Sequence, residues 1–198
     1  VSILIIMKKI FLSLTTVLLL TSCGGGVDSN KSGLSEQELI SGFEGVRLKF
    51  KNIFENPKDY NQDKLKPLND SLVFYVDALI HEFPNSAELP EVLCRAGISS
   101  LNVKNSPKAL EYLNYVVDSF PNHPIVPQSM YFIGRTKEVL VEDIPAAKES
   151  YKKLYRAYPN SVWGQNARTS VELIANPLYP VAPVTGIEIG WSLSFLSK

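Results

Sequence analysis

Apolar positions in this chain recur at one set of offsets. In the stretch Ala109 to Asn122, ALEYLNYVVDSFPN, they fall at Ala109, Leu113, Val116, Val117 and Phe120, followed by Pro121-Asn122. The same offsets hold at Ala147, Tyr151, Leu154, Tyr155 and Tyr158 before Pro159-Asn160, and at Leu72, Val76, Leu79, Ile80 and Phe83 before Pro84-Asn85. Spacings of four, three, one and three place these residues on one stripe of a helix. The closing prolines lie 37 and 38 residues apart, and a fixed period of that size is the signature of a repeat array.

The punctuation agrees with the periodicity. Ser106-Pro107 and Asp143-Ile144-Pro145 precede two of the recurring stretches, and proline is tolerated in a first helical turn, where its missing N–H would have no partner. Phe83, Phe120 and Tyr158 each stand before proline, which disfavours the helical conformation and predicts a stop. The following Asn-Ser, Asn-His and Asn-Ser pairs offer capping side chains to the next helix. Pro90 and Pro127 mark the opening turns of two intervening helices. Gly97 and Gly134 sit at matching places in those helices. A glycine inside a helix costs about 1 kcal/mol relative to alanine, so its repetition predicts close approach of two helices there. In the third copy Glu172 takes that place, with Ala167 and Val171 on the apolar face.

Upstream, Ser35 to Glu38 has the spacing of a capping box, and Leu39, Phe43, Val46, Phe50 and Phe54 follow at helical intervals, predicting a helix to about Asn56. Residues 56–69 are polar and contain Pro57 and Pro67; they read as a connection with little regular structure, with a recurring helix starting at Leu68. Pro177, Pro180 and Pro183 forbid a regular helix, so 177–198 reads as a Pro-rich irregular tail.

The N-terminus carries an address. Met7-Lys8-Lys9 is a basic start, and Ile10 to Leu20 is an apolar run of eleven residues, suited to a signal-peptide core and short of the roughly 20 needed to span a bilayer. Residues 1–6 read as an upstream extension. Leu20-Thr21-Ser22-Cys23 resembles the bacterial lipobox. That resemblance implies a signal peptide over 1–22, lipid attachment at Cys23 through its nucleophilic thiol, and membrane anchoring by several acyl chains. Gly24 in place of aspartate implies, by the sorting rules of such lipoproteins, the outer membrane, facing the periplasm. Residues 23–34 are rich in glycine and serine and read as a flexible tether; ten such residues reach roughly 18 Å.

The recurring helices resemble the tetratricopeptide repeat: Ala109 and Ala147 match its second-helix alanine, Gly97 and Gly134 its first-helix glycine, and Pro84, Pro121 and Pro159 its closing proline. The longer period and the FPN and YPN ends are similar to repeats of BamD-like outer-membrane assembly lipoproteins and of Tol-associated cell-division coordinators. The resemblance implies an all-α domain over 35–176, a right-handed α-α superhelix of about three helix pairs stabilised by stacking. It also implies a concave surface, lined by the first helix of each pair, that holds protein partners. Glu91, Gln128, Tyr131, Arg135, Glu138, Asn166 and Thr169 flank the packed positions there, with Arg135 and Tyr131 the residue types enriched at binding hot spots.

Charge and chemistry narrow the function further. Removing residues 1–22 leaves 18 basic against 20 acidic residues, no electrostatic footprint for nucleic acid. His81 and His123, the only histidines, stand far apart in the sequence with no Cys at ligand spacing, so solvated or capping roles are expected and no metal. Cys94 reads as a small buried hydrophobe. No nucleophile elbow, phosphate-binding loop or zinc-protease motif occurs, so neither a catalytic residue nor a cofactor is expected. The expectation is a non-enzymatic, lipid-anchored scaffold for other envelope proteins or peptides, in outer-membrane protein assembly or envelope maintenance. The alternative is a module that binds glycan or peptide without a stable protein partner.

Overall fold

The computed structural model describes residues 31–56 and 61–176. The expected signal peptide, lipid-bearing Cys23, most of the tether and the Pro-rich tail lie outside the described residues. Among those described there are seven α-helices and no strand: α1 (Glu36–Glu55), α2 (Gln62–Glu82), α3 (Leu89–Asn102), α4 (Ser106–Ser119), α5 (Val126–Val139), α6 (Ile144–Ala157) and α7 (Val162–Ile174). None is long and apolar enough to cross a membrane.

The capping box opens α1: Ser35 Oγ accepts from the Glu38 N–H, and the Ser35 N–H donates to the Glu38 carboxylate at 2.8 Å. α1 stops at Glu55, with Asn56 as its C-cap. α2 corrects the expected irregular connection, because it begins at Gln62 and carries Pro67 inside it. The Asn61 side chain accepts from the Asp63 N–H at 2.8 Å and starts the helix early. Only one backbone bond, to the Asp63 carbonyl, is lost at Pro67, and burial of Leu65 at 6% exposure offsets it.

The stops form a repeated device. Phe83 (φ −132, ψ 56), Phe120 (φ −127, ψ 51) and Tyr158 (φ −133, ψ 57) share one cap conformation. Each donates its N–H four residues back, to Leu79, Val116 and Leu154, and packs its ring partly against the core. Capping of the next segment falls to the second residue of each following pair: Ser86 accepts from Glu88 N–H, His123 Nδ1 from Ile125 N–H and Ser161 from Gly164 N–H. The asparagines before them make no such bond. Proline occupies the first turn of α3, α4, α5 and α6 as expected.

Consecutive helices pack against one another, most extensively as the pairs α1–α2, α3–α4 and α5–α6, with α7 closing on α6. The odd-numbered helices also meet, α3 with α5 and α5 with α7, and α1 more lightly with α3, whereas α2, α4 and α6 approach one another less closely. The odd row is therefore the inner face of the stack and the even row the outer. The apolar offsets are spent on the core: Leu72, Val76, Leu79, Ala109, Leu113, Val116, Ala147, Tyr151 and Leu154 are all buried to 1% exposure or less. Each large side chain among them contributes about 1.5–3 kcal/mol of transfer free energy.

The glycines do what their repetition implied. A Cβ at Gly97 would lie 2.5 Å from Leu113 Cγ, and one at Gly134 would lie 2.5 Å from Tyr151 Cε1. Gly42 makes the same allowance for Tyr75 in the first pair. At the far end Gln165, Arg168 and Glu172 of α7 are exposed, and Arg168 bonds Glu172 at 3.2 Å.

Candidate protein-binding face

The inner row is built mainly on α3 and α5. α3 is buried on almost every side, and among its residues only Glu91, Arg95 and Asn102 are open to solvent. Their spacing makes one stripe. On α5 the half-buried residues Gln128, Tyr131 and Arg135 continue it at offsets of three and four. Asn166 and Thr169 of α7 are exposed, the latter donating its hydroxyl to the Gln165 carbonyl at 3.3 Å.

Glu91, Gln128, Arg135, Asn166 and Thr169 thus stay at the surface. Tyr131 keeps one side there, its ring packing against Phe132, Tyr151 and Trp163 at centroid distances of 5.6, 5.6 and 5.4 Å. Glu138 is a correction: it is 3% exposed and lies beneath the face. Its carboxylate accepts from Tyr151 Oη at 2.7 Å and from Arg135 Nη1 at 3.3 Å. Position 138 stands four residues beyond Gly134, on the side that faces α6, and this turns the side chain inward.

Two features of the face escaped the sequence. Trp163 joins α7 to α5 through Tyr131 and Phe132. A charged node joins α1 to α3: Arg47 pairs with Glu44 and lies over the Phe43 ring at 5.6 Å, and Arg95 Nη1 lies 3.6 Å from Glu44 Oε1. Burial lowers the Arg47 pKa, opposed by Glu44 and reinforced by Arg95. The i,i+3 pair Glu44/Arg47 and the i,i+4 pair Glu91/Arg95 were the available signal, but nothing in the sequence says that the two pairs meet.

On the outer row Asp77 of α2 accepts from Tyr112 Oη at 2.8 Å and from Lys108 Nζ at 2.9 Å, tying α4 to the first pair. Burial and then Asp77 raise the Tyr112 pKa. Burial likewise pushes the Cys94 thiol up to about 12, consistent with its expected role as a buried apolar group. His81 is exposed, and His123 serves as the turn cap described above. Among the described residues no group of three His, Cys, Asp or Glu is placed to hold a metal ion. A cleft of about 520 Å³ lies between the start of α2 and the α3–α4 turn, lined by Asp63, Lys66, Asn69, Asn102 and Lys104 among others.

No known protein family matches the chain, and no curated protein matches it.

Proposed function

We propose that the protein is a non-enzymatic scaffold of the bacterial cell envelope, anchored through lipid on Cys23 to the periplasmic side of the outer membrane. It holds other envelope proteins or peptides on the inner face of a tetratricopeptide-type stack. The observation that carries the reading is the open stripe of Glu91, Arg95 and Asn102 on α3, continued by Gln128 and Arg135 on α5. Every other position of α3 is consumed by packing, so a polar stripe left open along the inner row is surface that the fold does not need. The lipobox Leu20–Cys23 supplies the address.

Two measurements test it. Fatty-acid label is expected on the wild type and absent from Cys23→Ser; equal label in both removes the anchor. A photoreactive residue in place of Gln128 is expected to crosslink envelope proteins in cells beyond those captured by an unrelated lipoprotein. Gln128→Arg, which leaves the Arg135–Glu138–Tyr151 contacts in place, lowers the yield from a photoreactive residue at Asn102. Absence of protein adducts ends the scaffold reading, and adducts that survive exhaustive proteolysis mark a glycan ligand instead.

A further inference from the structure

The seam between α1 and α3 holds an imbalance that packing of the stack leaves unexplained. Arg47, 8% exposed, is engaged by Glu44 and by the Phe43 ring. Arg95 is different. Its Nη1 lies 3.6 Å from Glu44 Oε1 and its Nη2 lies 4.0 Å from Glu91 Oε2; both are ion-pair distances, and neither is a hydrogen bond. Among the described residues the Arg95 side chain makes no hydrogen bond, although it is 29% exposed and opens onto the inner face. Four enclosed side-chain polar atoms among the described residues lack a hydrogen-bond partner, and three of them belong to this seam: Arg47 Nε, Arg95 Nε and Glu44 Oε1.

What would satisfy such a set follows from its chemistry. Arg47 Nε and Arg95 Nε are enclosed, so the groups open to a partner are the two Nη atoms of Arg95, held at ion-pair distances only, and the Glu44 Oε1 acceptor beside them; the complement must both accept and donate. The formal charges of Arg47, Arg95, Glu44 and Glu91 cancel. A bound carboxylate or phosphate would leave a net negative charge beside two glutamates, with one of the two arginines already engaged. A neutral group that presents a carbonyl and an N–H along one edge fits without that penalty. The main chain of an extended segment is such a group, since each residue that pairs across a ladder offers its C=O and its N–H to the same side.

We propose that Arg95 and Glu44 form a main-chain anchor for an extended segment of a partner protein, a deepening that rests on the scaffold reading above. Arg95 turns from Glu44 toward the partner, its Nη atoms donate to a backbone carbonyl, and Glu44 Oε1, uncovered by that turn, accepts the N–H of the same residue. Arg47 stays in place and holds the other carboxylate oxygen. The seam is the lightest contact along the odd row, so the adjustment leaves the hairpins intact. The anchor carries no sequence information; specificity falls to the side chains that reach Gln128, Arg135 and Asn166.

The test uses the Cys23→Ser protein and an immobilised library of N-acetylated, C-amidated decapeptides, which lack terminal charges. The wild type is expected to retain peptides without acidic residues, with affinity changing less than about twofold between low and high salt. Arg95→Leu, which keeps the packed stem, is expected to weaken the retained peptides about tenfold or more, and Arg95→Lys, which keeps charge but not the fork, to fall between. Arg168→Ala at the far end serves as the unaffected control. Thermal melting accompanies each variant; if Arg95→Leu fails to fold, Arg95→Lys decides. Binding by Arg95→Leu equal to wild type, or retention only of acidic or free-carboxylate peptides with a steep salt dependence, overturns the anchor and leaves the scaffold standing. A wild type that retains no peptide, together with no protein adduct at Gln128, overturns both.

Discussion

Tyr151 is fully enclosed between α5 and α6, and its hydroxyl donates to the Glu138 carboxylate at 2.7 Å, while Arg135 reaches the same oxygen at 3.3 Å. The contact fixes the third helix pair from inside and spends Glu138 on structure. A buried carboxylate depends on its donors, because an unmet polar group bears its full desolvation penalty. Tyr151→Phe is therefore expected to cost about 1–3 kcal/mol in equilibrium urea unfolding. Glu138→Ala, which takes the buried acceptor from the Tyr151 hydroxyl and an ion-pair partner from Arg135, is expected to cost about 3–5 kcal/mol. An unchanged midpoint in both would show that the contact contributes nothing net.

The enclosed tyrosines also set a response to alkali. Burial, seconded by a neighbouring carboxylate, raises the pKa of Tyr112 and of Tyr151 in the folded chain, and burial raises that of Cys94 to about 12. Once unfolded these groups ionise near their ordinary values, about 10 for tyrosine and about 8.5 for cysteine. Above those values the unfolded state binds fewer protons than the folded one, so stability falls as pH rises. Their contribution is complete below about pH 8.5 and declines progressively through pH 10 and beyond. Unfolding free energy measured from pH 8 to 11 should drop, and the slope should flatten above pH 10 in the Tyr112→Phe/Tyr151→Phe double variant. A slope equal to wild type would remove these tyrosines as the cause.

Glycine gives a test in which sign alone decides. In a free helix Gly→Ala is worth about 1 kcal/mol of stability. Gly45 of α1 has nothing within 4 Å of where a Cβ would stand, so Gly45→Ala should stabilise. Gly97→Ala meets Leu113 Cγ at 2.5 Å, and Gly134→Ala meets the Tyr151 ring at 2.5 Å; both should destabilise by about 1–3 kcal/mol through overpacking. Leu113→Ala should be less harmful in the Gly97→Ala background than alone, a coupling expected of residues in contact. Additive values would place the cost elsewhere.

What the sequence made legible was local or periodic. The recurring apolar offsets, the aromatic stops before proline and the capping box all depend on neighbours within about one turn, and each appears where the pattern placed it. The early start of α2 was hidden because Pro67 reads as a breaker, while the opposing effects of the Asn61 cap and Leu65 burial are tertiary and local together. On the inner face the surface residues on α3, α5 and α7 followed from their repeat position, but Glu138 did not, since four residues from Gly134 the helix has turned toward α6. The Arg47–Glu44–Arg95 node was beyond reach for another reason: it joins α1 to α3, with the whole of α2 between them in sequence. Periodicity says which face of a helix is polar, not which polar faces meet.

The least visible feature is a pair of backbone conformations. Lys104 (φ 61) and Glu142 (φ 58) both occupy the left-handed region, 38 residues apart, each just before an N-cap, Asn105 or Asp143, that accepts from the N–H three residues on. An L-residue pays about 1–2 kcal/mol to sit there, and neither lysine nor glutamate advertises it. The repeat imposes the geometry: the Asn105 N–H must reach the Ser100 carbonyl at 2.8 Å, and the Asp143 N–H the Lys137 carbonyl at 3.0 Å, before the next helix can begin. Glycine would relieve the strain at a smaller entropic cost in the unfolded chain. Lys104→Gly and Glu142→Gly are therefore expected to raise stability by about 0.5 kcal/mol each, and asparagine, which tolerates this region, to act in the same direction. β-Branched valine at either position should cost about 1–3 kcal/mol. The two turns belong to different pairs, so the glycine effects should add in the double variant, a rise in melting temperature of about 2–4 °C. If both glycine variants melt lower than wild type while valine is neutral, contacts made by the Lys104 and Glu142 side chains, rather than the backbone, hold these turns.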